Sequence, residues 1–275
     1  MPAEDWARGK VVAVSGGAGG LGAAFCRRFA QAGARVAALD LERANPQDLA
    51  RQLAAQGLES LGLACDVTDP DQCQAVTAEI VRQWGGLDLL INNAGIAHRS
   101  AFVQTSGAVL RRVMEVNYFG SLNCTQAALP HLIARKGQIV VISSVAGFAP
   151  LLGRAGYAAS KHALHGLFES LRGELEPLGV GVSLVCPSFA DTAIAHSALD
   201  GDGQITRHPQ SKVGRPASPA QVAEAVFRAA GARRPLTVLS PVGHLSWWLT
   251  RLTPRLYEKI MTRSLRSELE RGSRN

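Results

Sequence analysis

The sequence lacks a hydrophobic run long enough to cross a bilayer. Its uncharged stretches, Gly137–Gly153 and Pro235–Thr250, are both shorter than the ~20 apolar residues that a spanning helix needs. The segment Val11–Phe25 follows Lys10, as in a secretory signal, but its glycines do not suit the apolar helix of such a signal. We therefore expect a cytoplasmic protein without a spanning helix.

Cysteine is scarce and shows no pairing pattern. The five cysteines are an odd number without a Cys-x-x-Cys pair, which suits a reducing compartment and gives no sign of a metal site. We interpret them as free thiols in the core. They are Cys26, Cys65, Cys73, Cys124 and Cys186.

Strong charge is also absent from most of the chain. The net charge is +7, yet the final 25 residues alone hold seven basic and three acidic residues. The body of the protein is therefore close to neutral, and we expect no nucleic-acid partner.

Short β-branched runs alternate with longer helical patterns along the chain. Strands that are apolar throughout are buried on both faces, so the alternation predicts one doubly wound α/β domain with a parallel sheet wrapped by helices. The irregular segment 188–218 has the length of a lid over a site. The seven predicted strands are 11–15, 35–40, 61–66, 87–93, 138–144, 180–186 and 236–240, and the predicted helices are 21–31, 46–56, 70–84, 108–133, 157–178 and 219–230.

Five glycines lie within the stretch SGGAGGLG, residues 15–22, directly after the first predicted strand. A glycine loop between a strand and a helix lets backbone N–H groups and the helix N-terminus bind a pyrophosphate. Spacing alone leaves two registers open, one that starts at Gly16 and one that starts at Gly17. Asp40 ends the second strand, where a carboxylate can accept from both ribose hydroxyls and repel a 2′-phosphate, which favours NAD over NADP.

Tyr157 and Lys161 lie one helical turn apart on one face of a predicted helix. A nearby ammonium group, together with a positive nicotinamide ring, should favour the phenolate and make the tyrosine a general acid and base. With the glycine loop, this pair resembles the short-chain dehydrogenase/reductase family over about residues 8–240. The resemblance implies a single Rossmann domain with a parallel seven-stranded sheet and helices on both faces.

Several motifs carry the resemblance on the nucleotide side. Ser15-Gly16-x-x-x-Gly20-Leu21-Gly22 resembles the family's T-G-x-x-x-G-x-G loop with Ser for Thr, and this settles the register. Asp66-Val67 resembles the family's cofactor-binding pair whose carboxylate contacts adenine, and the turn Asn92–Gly95 matches the family's N-N-A-G. The other implied cofactor contacts are Asn93, Ala94, Gly95, Tyr157, Lys161, Pro187 and Thr192.

The catalytic residues implied by the family are Ser144, Tyr157, Lys161 and Asn117. Ser144 would hydrogen-bond the substrate oxygen, with Ser143 as the alternative hydroxyl, and Asn117 would position a water in a proton relay. The chain has Pro187-Ser188 where the family commonly has Pro-Gly.

The resemblance implies an NAD(P)-dependent oxidoreductase that interconverts an alcohol and a ketone or aldehyde. The alternative is a redox-sensing protein that binds NAD(P) without turnover, which should lack part of the Ser–Tyr–Lys set. Apolar residues near the lid favour an apolar substrate such as a steroid, retinoid, or fatty or aromatic alcohol, and the resemblance implies a homodimer or homotetramer. These apolar residues are Phe148, Leu151, Leu152, Phe189, Ile194 and Leu199.

The segment 241–275 extends past the seventh strand and mixes paired tryptophans with arginines. We expect Pro254 to divide it into two short helices. These helices could cover the substrate pocket or a subunit interface, or they could lie on an anionic lipid surface as a peripheral membrane contact.

Overall fold

The computed structural model describes residues 5–188, 197–206 and 216–272. Among them, seven strands and nine α-helices alternate through most of the chain. The strands are β1 (Val11–Ser15), β2 (Arg35–Asp40), β3 (Ser60–Ala64), β4 (Leu89–Asn92), β5 (Gln138–Ile142), β6 (Gly181–Cys186) and β7 (Leu236–Val238). The helices are α1 (Gly20–Gln31), α2 (Pro46–Ala54), α3 (Pro70–Trp84), α4 (Gly107–Met114), α5 (Gly120–Arg135), α6 (Ala155–Leu175), α7 (Pro219–Gly231), α8 (Pro241–Leu252) and α9 (Pro254–Gly272).

The strands form one parallel sheet in the order β3-β2-β1-β4-β5-β6-β7. Its central strands β1, β4 and β5 are buried along their whole length, as their uninterrupted apolar sequences require. The predicted doubly wound Rossmann fold is confirmed.

Helices cover both faces of the sheet and give it two hydrophobic layers. Helices α1, α2 and α7 enclose one layer, in which Trp6, Phe29 and Phe227 pack ring against ring. Helices α3, α5 and α6 enclose the other layer, which includes Phe168. The predicted helix 108–133 is interrupted, because a π-helical turn at Glu115–Phe119 separates α4 from α5.

The strand order reverses between β1 and β4, so the loops that follow these two strands diverge to opposite faces of the sheet. A crevice at such a point is where open α/β sheets bind their ligands. As expected from Pro254, the segment after β7 forms two helices, α8 and α9, with Thr253 between them. None of the helices in the described part of the chain is both long and apolar enough to span a membrane.

Candidate active site

Two adjoining cavities lie at the carboxyl edge of the sheet. The nucleotide cavity, as we call the larger one, has a volume of about 980 Å³ and is lined by the glycine loop, Asp40 and Asp66. The catalytic cavity has a volume of about 420 Å³ and is lined by Ser144, Tyr157 and Lys161. Leu21 and Asn93 line both cavities, so the two spaces meet at these side chains.

At two positions, the backbone of the glycine loop has a positive φ angle, which residues other than glycine rarely adopt. Gly16 and Gly20 have φ angles of +63° and +54°. A side chain at Gly22 would clash with the carbonyl oxygen of Gly16, so the first turn of α1 packs directly on the loop. Gly19 caps α1 without any side-chain acceptor, which leaves the N–H groups of the first turn available at the cavity wall. These features agree with the register that begins at Ser15-Gly16.

Ser15 and Asn93 hold the loop against the end of β4. Ser15 is buried, and its hydroxyl oxygen accepts from the N–H groups of Asn93 (3.0 Å) and Ala94 (3.1 Å). The Asn93 amide donates to the carbonyl oxygens of Ser15 and Gly16, both at 3.0 Å. Ser15 lines neither cavity, so the structure gives this predicted cofactor residue a positioning role behind the loop.

Asp40 lies at the end of β2 in the wall of the nucleotide cavity. One carboxylate oxygen accepts from the N–H of Ala18 and the other from the N–H of Leu41, both at 2.9 Å. Each oxygen keeps a further lone pair, so the carboxylate is held in place and can still accept from a ribose hydroxyl.

The remaining predicted nucleotide residues line the same cavity. The Asp66 carboxylate accepts from the N–H and the hydroxyl of Thr68, which fixes the turn after β3. Val67 is buried, and its carbonyl oxygen accepts from the amide of Asn123. Ala94 and Gly95 also line this cavity.

Tyr157 lies in the first turn of α6, with its phenol in the catalytic cavity. Burial raises its pKa above the ordinary value of 10, and a hydrogen bond from Ser144 to the phenol oxygen partly offsets this rise. The expected lowering of the pKa is therefore not seen in the protein alone, because desolvation of the phenolate outweighs the stabilising interactions.

Lys161 lies one turn further along α6, and its side chain is buried. Its Nζ donates to the carbonyl oxygen of Ile142 at 2.9 Å and lies 5.8 Å from the centre of the Tyr157 ring. Burial lowers the pKa of Lys161 to about 8. The spacing in the sequence correctly predicted that Tyr157 and Lys161 lie on one face of a helix.

The two candidate serines at the end of β5 have different surroundings. Ser144 interacts with Tyr157, and its oxygen also accepts from the N–H of Ala146 at 3.1 Å. The Ser143 hydroxyl is buried, interacts with the Cys186 thiol and lies close to Gly147. This geometry favours Ser144 as the hydroxyl that meets the substrate.

Asn117 lies in the π-helical turn and is completely buried. Its amide oxygen accepts from the N–H of Ile96 (2.8 Å), and its amide nitrogen donates to the Ile96 carbonyl (3.0 Å) and the Ser160 hydroxyl (2.9 Å). The Ser160 hydroxyl in turn donates to the carbonyl oxygen of Tyr157. Asn117 therefore connects the turn after β4 to α6, and its part in a water relay stays a prediction.

The extension forms much of the wall of the catalytic cavity. Of the 26 described residues that line it, ten belong to α8 and α9, among them Leu249 and Met261. Trp247 packs on Phe148 with ring centres 4.9 Å apart, whereas its neighbour Trp248 is 59% exposed. The sequence indicated that this segment could cover the substrate pocket. It did not identify the lining residues, because helical spacing does not say which face of a helix contacts the domain.

Of the other residues predicted near the site, some line the catalytic cavity and others do not. Pro187, Ser188 and Leu151 line the catalytic cavity, while Phe148 lies behind its wall in the cluster around Trp247. Leu199 pairs with His98 and Ile205 in short β-bridges. Thr192, Phe189 and Ile194 lie outside the described residues, as does most of the predicted lid.

Sequence reasoning missed His98. This residue lines the catalytic cavity, is 1% exposed, and accepts from the N–H of Gly156 through its Nε2 at 2.8 Å. Burial lowers the pKa of His98 to about 4, so the ring is neutral near pH 7. A lone histidine five residues after Asn93 carries no sequence pattern that would reveal this contact.

Comparison with known proteins identifies relatives over nearly the whole chain. The family model "short chain dehydrogenase" matches residues 10–202. The curated protein "Dehydrogenase/reductase SDR family member 7B" of Bos taurus is 35% identical, covering 96% of this chain and 83% of its own length. The protein of the same name from Danio rerio is 34% identical over 94% of this chain and 86% of its own.

A solved structure shares the fold in three dimensions. It is a short chain dehydrogenase/reductase from Burkholderia phymatum in complex with NAD, with a TM-score of 0.80 and 26% identity, covering 90% of this chain and 95% of its own. Together with the matched family model and the conserved fold, these similarities show that the chain belongs to the short-chain dehydrogenase/reductase family of oxidoreductases.

Proposed function

We propose that this protein is an NAD(P)-dependent oxidoreductase that interconverts an alcohol and a ketone or aldehyde. The observation that carries the proposal is the meeting of Ser144, Tyr157 and Lys161 in one cavity that adjoins a second, glycine-lined cavity. A dinucleotide bound across both would bring its reactive end to the tyrosine.

The residues of the larger cavity fit a dinucleotide. The uncapped N-terminus of α1 and the Gly16–Gly22 loop would hold a pyrophosphate, because a side chain at Gly22 has no room and none of the first-turn residues is acidic. Asp40 would accept from the adenosine ribose, which supports a preference for NAD over NADP. The related structure from Burkholderia phymatum contains NAD.

The chain's own residues would handle the proton and the substrate oxygen. The bound nicotinamide supplies the two-electron chemistry. Tyr157 would take the hydroxyl proton during oxidation and return it during reduction, while Ser144 would donate to the oxygen as negative charge develops there. Lys161 would favour the phenolate through its charge and hold the nicotinamide ribose.

The wall of the catalytic cavity favours an apolar substrate. Leu249, Met261 and Leu265 contribute to it from the C-terminal helices, and Leu151 and Val145 contribute from the domain. A fatty, aromatic or steroid alcohol, or the matching carbonyl compound, would bury its apolar part against these side chains.

The test is the Tyr157→Phe variant, which keeps the ring and removes the proton. We expect at least a hundredfold loss of turnover in a screen of apolar alcohols and ketones with NAD⁺, NADH, NADP⁺ and NADPH, with binding of the dinucleotide retained in calorimetry. Turnover close to that of wild type would refute the assignment. Dinucleotide binding by wild type without turnover of any compound would instead favour the non-catalytic binding protein.

A further inference from the structure

The C-terminal helices carry more than half of the large hydrophobic side chains that are exposed in the described part of the chain. Of the eleven large hydrophobic side chains that are exposed in the described part of the chain, six lie between residues 242 and 260. We call these six the apolar patch. Its members are Val242, Leu245, Trp248, Leu252, Leu256 and Ile260.

The apolar patch is not a consequence of loose packing, because the inner sides of the two helices are well anchored. Trp247 packs against Phe148, and the Tyr257 hydroxyl donates to the carbonyl oxygen of Pro150 at 2.9 Å. The N–H of Leu152 points to the sulfur of Met261 at 3.3 Å. The two helices are thus held on the domain by Trp247, Tyr257 and Met261, none of which belongs to the apolar patch.

Half of the apolar patch also lines the catalytic cavity. Val242, Leu245 and Ile260 line that cavity and are also 39%, 60% and 49% exposed. These three residues therefore belong both to the wall of the catalytic cavity and to the apolar patch, which joins the cavity wall on α8 and on α9.

Basic side chains accompany the apolar patch. Arg255, Lys259 and Arg263 are exposed on α9, whose first thirteen residues contain Glu258 as their one acidic residue. Trp248 and Leu252, which are 59% and 71% exposed, lie at the end of α8 that leads into Arg255. Exposed tryptophan and leucine beside a cationic border is the composition of a helix that lies in the headgroup region of an anionic bilayer.

We propose that the apolar patch docks the protein on the surface of a bilayer that contains anionic phospholipids, with the part of the cavity wall formed by Val242, Leu245 and Ile260 facing the lipid. The helices would lie on the bilayer without crossing it. A second copy of the chain is a poorer occupant, because a two-fold contact through this face would bring the same cations of both copies together. Entry of the substrate from the lipid phase rests on the proposed function, whereas docking on the bilayer does not.

The experiment measures co-sedimentation of the 275-residue chain with vesicles, without any dinucleotide or substrate. One set of vesicles is phosphatidylcholine alone, and the other contains equal parts of phosphatidylcholine and phosphatidylglycerol. We expect wild type to partition roughly tenfold more strongly onto the anionic vesicles, with the difference reduced by added salt.

Two double variants separate the apolar and the charged contributions. Trp248→Ser with Leu252→Ser should weaken partitioning roughly tenfold or more, since both side chains would leave the lipid. The matched control, Val103→Ser with Leu178→Ser, removes two exposed apolar side chains elsewhere and should bind like wild type. None of these four residues lines either cavity.

The charge variant is Arg255→Gln with Lys259→Gln, and its control is Arg111→Gln with Arg234→Gln. The first should lose roughly tenfold in partitioning onto the anionic vesicles, and the second should lose much less. Melting temperatures confirm that each variant is folded. Absence of vesicle binding, equal effects of variants and controls, or a stable dimer that Trp248→Ser with Leu252→Ser dissociates would overturn the docking proposal, while dehydrogenase activity would remain a separate result.

Discussion

The buried ammonium group of Lys161 should reduce the stability of the protein while serving its chemistry. Burial lowers the pKa of Lys161 from 10.5 to about 8. One pKa unit corresponds to about 1.4 kcal/mol, so keeping this group charged in the folded protein costs roughly 3 kcal/mol below pH 8.

Replacing Lys161 with methionine removes the charge and keeps the length of the side chain. The variant also loses the hydrogen bond to Ile142, which contributes about 1 kcal/mol. We therefore expect Lys161→Met to be more stable than wild type at neutral pH, with a free energy of unfolding roughly 2 kcal/mol higher. Its turnover should fall at least a hundredfold, because the phenolate loses its cationic neighbour.

The pH dependence gives the stricter test. Between pH 8 and 10.5 the unfolded chain binds more protons at this lysine than the folded protein does, so the stability of wild type should rise with pH across that range. Lys161→Met should lack this contribution. Urea unfolding followed by circular dichroism at several pH values measures it, with the exposed Lys259→Met as control.

If Lys161→Met were no more stable than wild type at neutral pH, the ammonium group would not be a desolvated charge. The same conclusion would follow if the two proteins showed the same slope of stability between pH 8 and 10.5. The control variant should stay within about 0.5 kcal/mol of wild type at every pH.

Three further predictions concern other parts of the site. Gly22→Ala should lower the free energy of unfolding by roughly 3 kcal/mol and weaken dinucleotide binding in thermal melts and calorimetry, whereas Gly173→Ala, which lies on the exposed side of α6 away from both cavities, should do neither. Ser144→Ala should lower kcat at least tenfold, while Ser143→Ala removes a hydroxyl that interacts with the Cys186 thiol and should lower kcat much less; the opposite pattern would exchange the two serines. Burial lowers the pKa of His98 from 6.5 to about 4, so between these pH values the unfolded chain binds a proton that the folded protein does not. The free energy of unfolding should therefore fall by up to roughly 3 kcal/mol as the pH drops from 6.5 to 4. If His98→Gln lost stability over this pH range as steeply as wild type, the prediction would be wrong.

The sheet could be predicted from the sequence because its signal is local. Runs such as Val11–Ser15 and Gln138–Ile142 are apolar throughout, and that pattern has few explanations other than a strand buried on both faces. The shared face of Tyr157 and Lys161 followed from helical spacing in the same way. Such features depend on neighbours along the chain.

Features that depend on distant partners could not be predicted. The π-helical turn at Glu115–Phe119 places Asn117 against Ile96 and Ser160, and no local pattern distinguishes this turn from a continuous helix. Ser15 resembles a cofactor contact in sequence, yet it supports the turn at Asn93 and Ala94, because the end of β4 lies directly beside it. The pKa of Tyr157 followed burial, which the sequence does not report.

The reacting groups and a large part of the wall of the catalytic cavity come from separate stretches of the chain. Ser144, Tyr157 and Lys161 precede residue 162, whereas ten of the residues around the substrate space follow residue 241. Replacement of α8 and α9 could thus change which substrates are accepted while Ser144, Tyr157 and Lys161 stay the same. The same separation means that a chain shortened after β7 would keep its reactive side chains but expose them to bulk water.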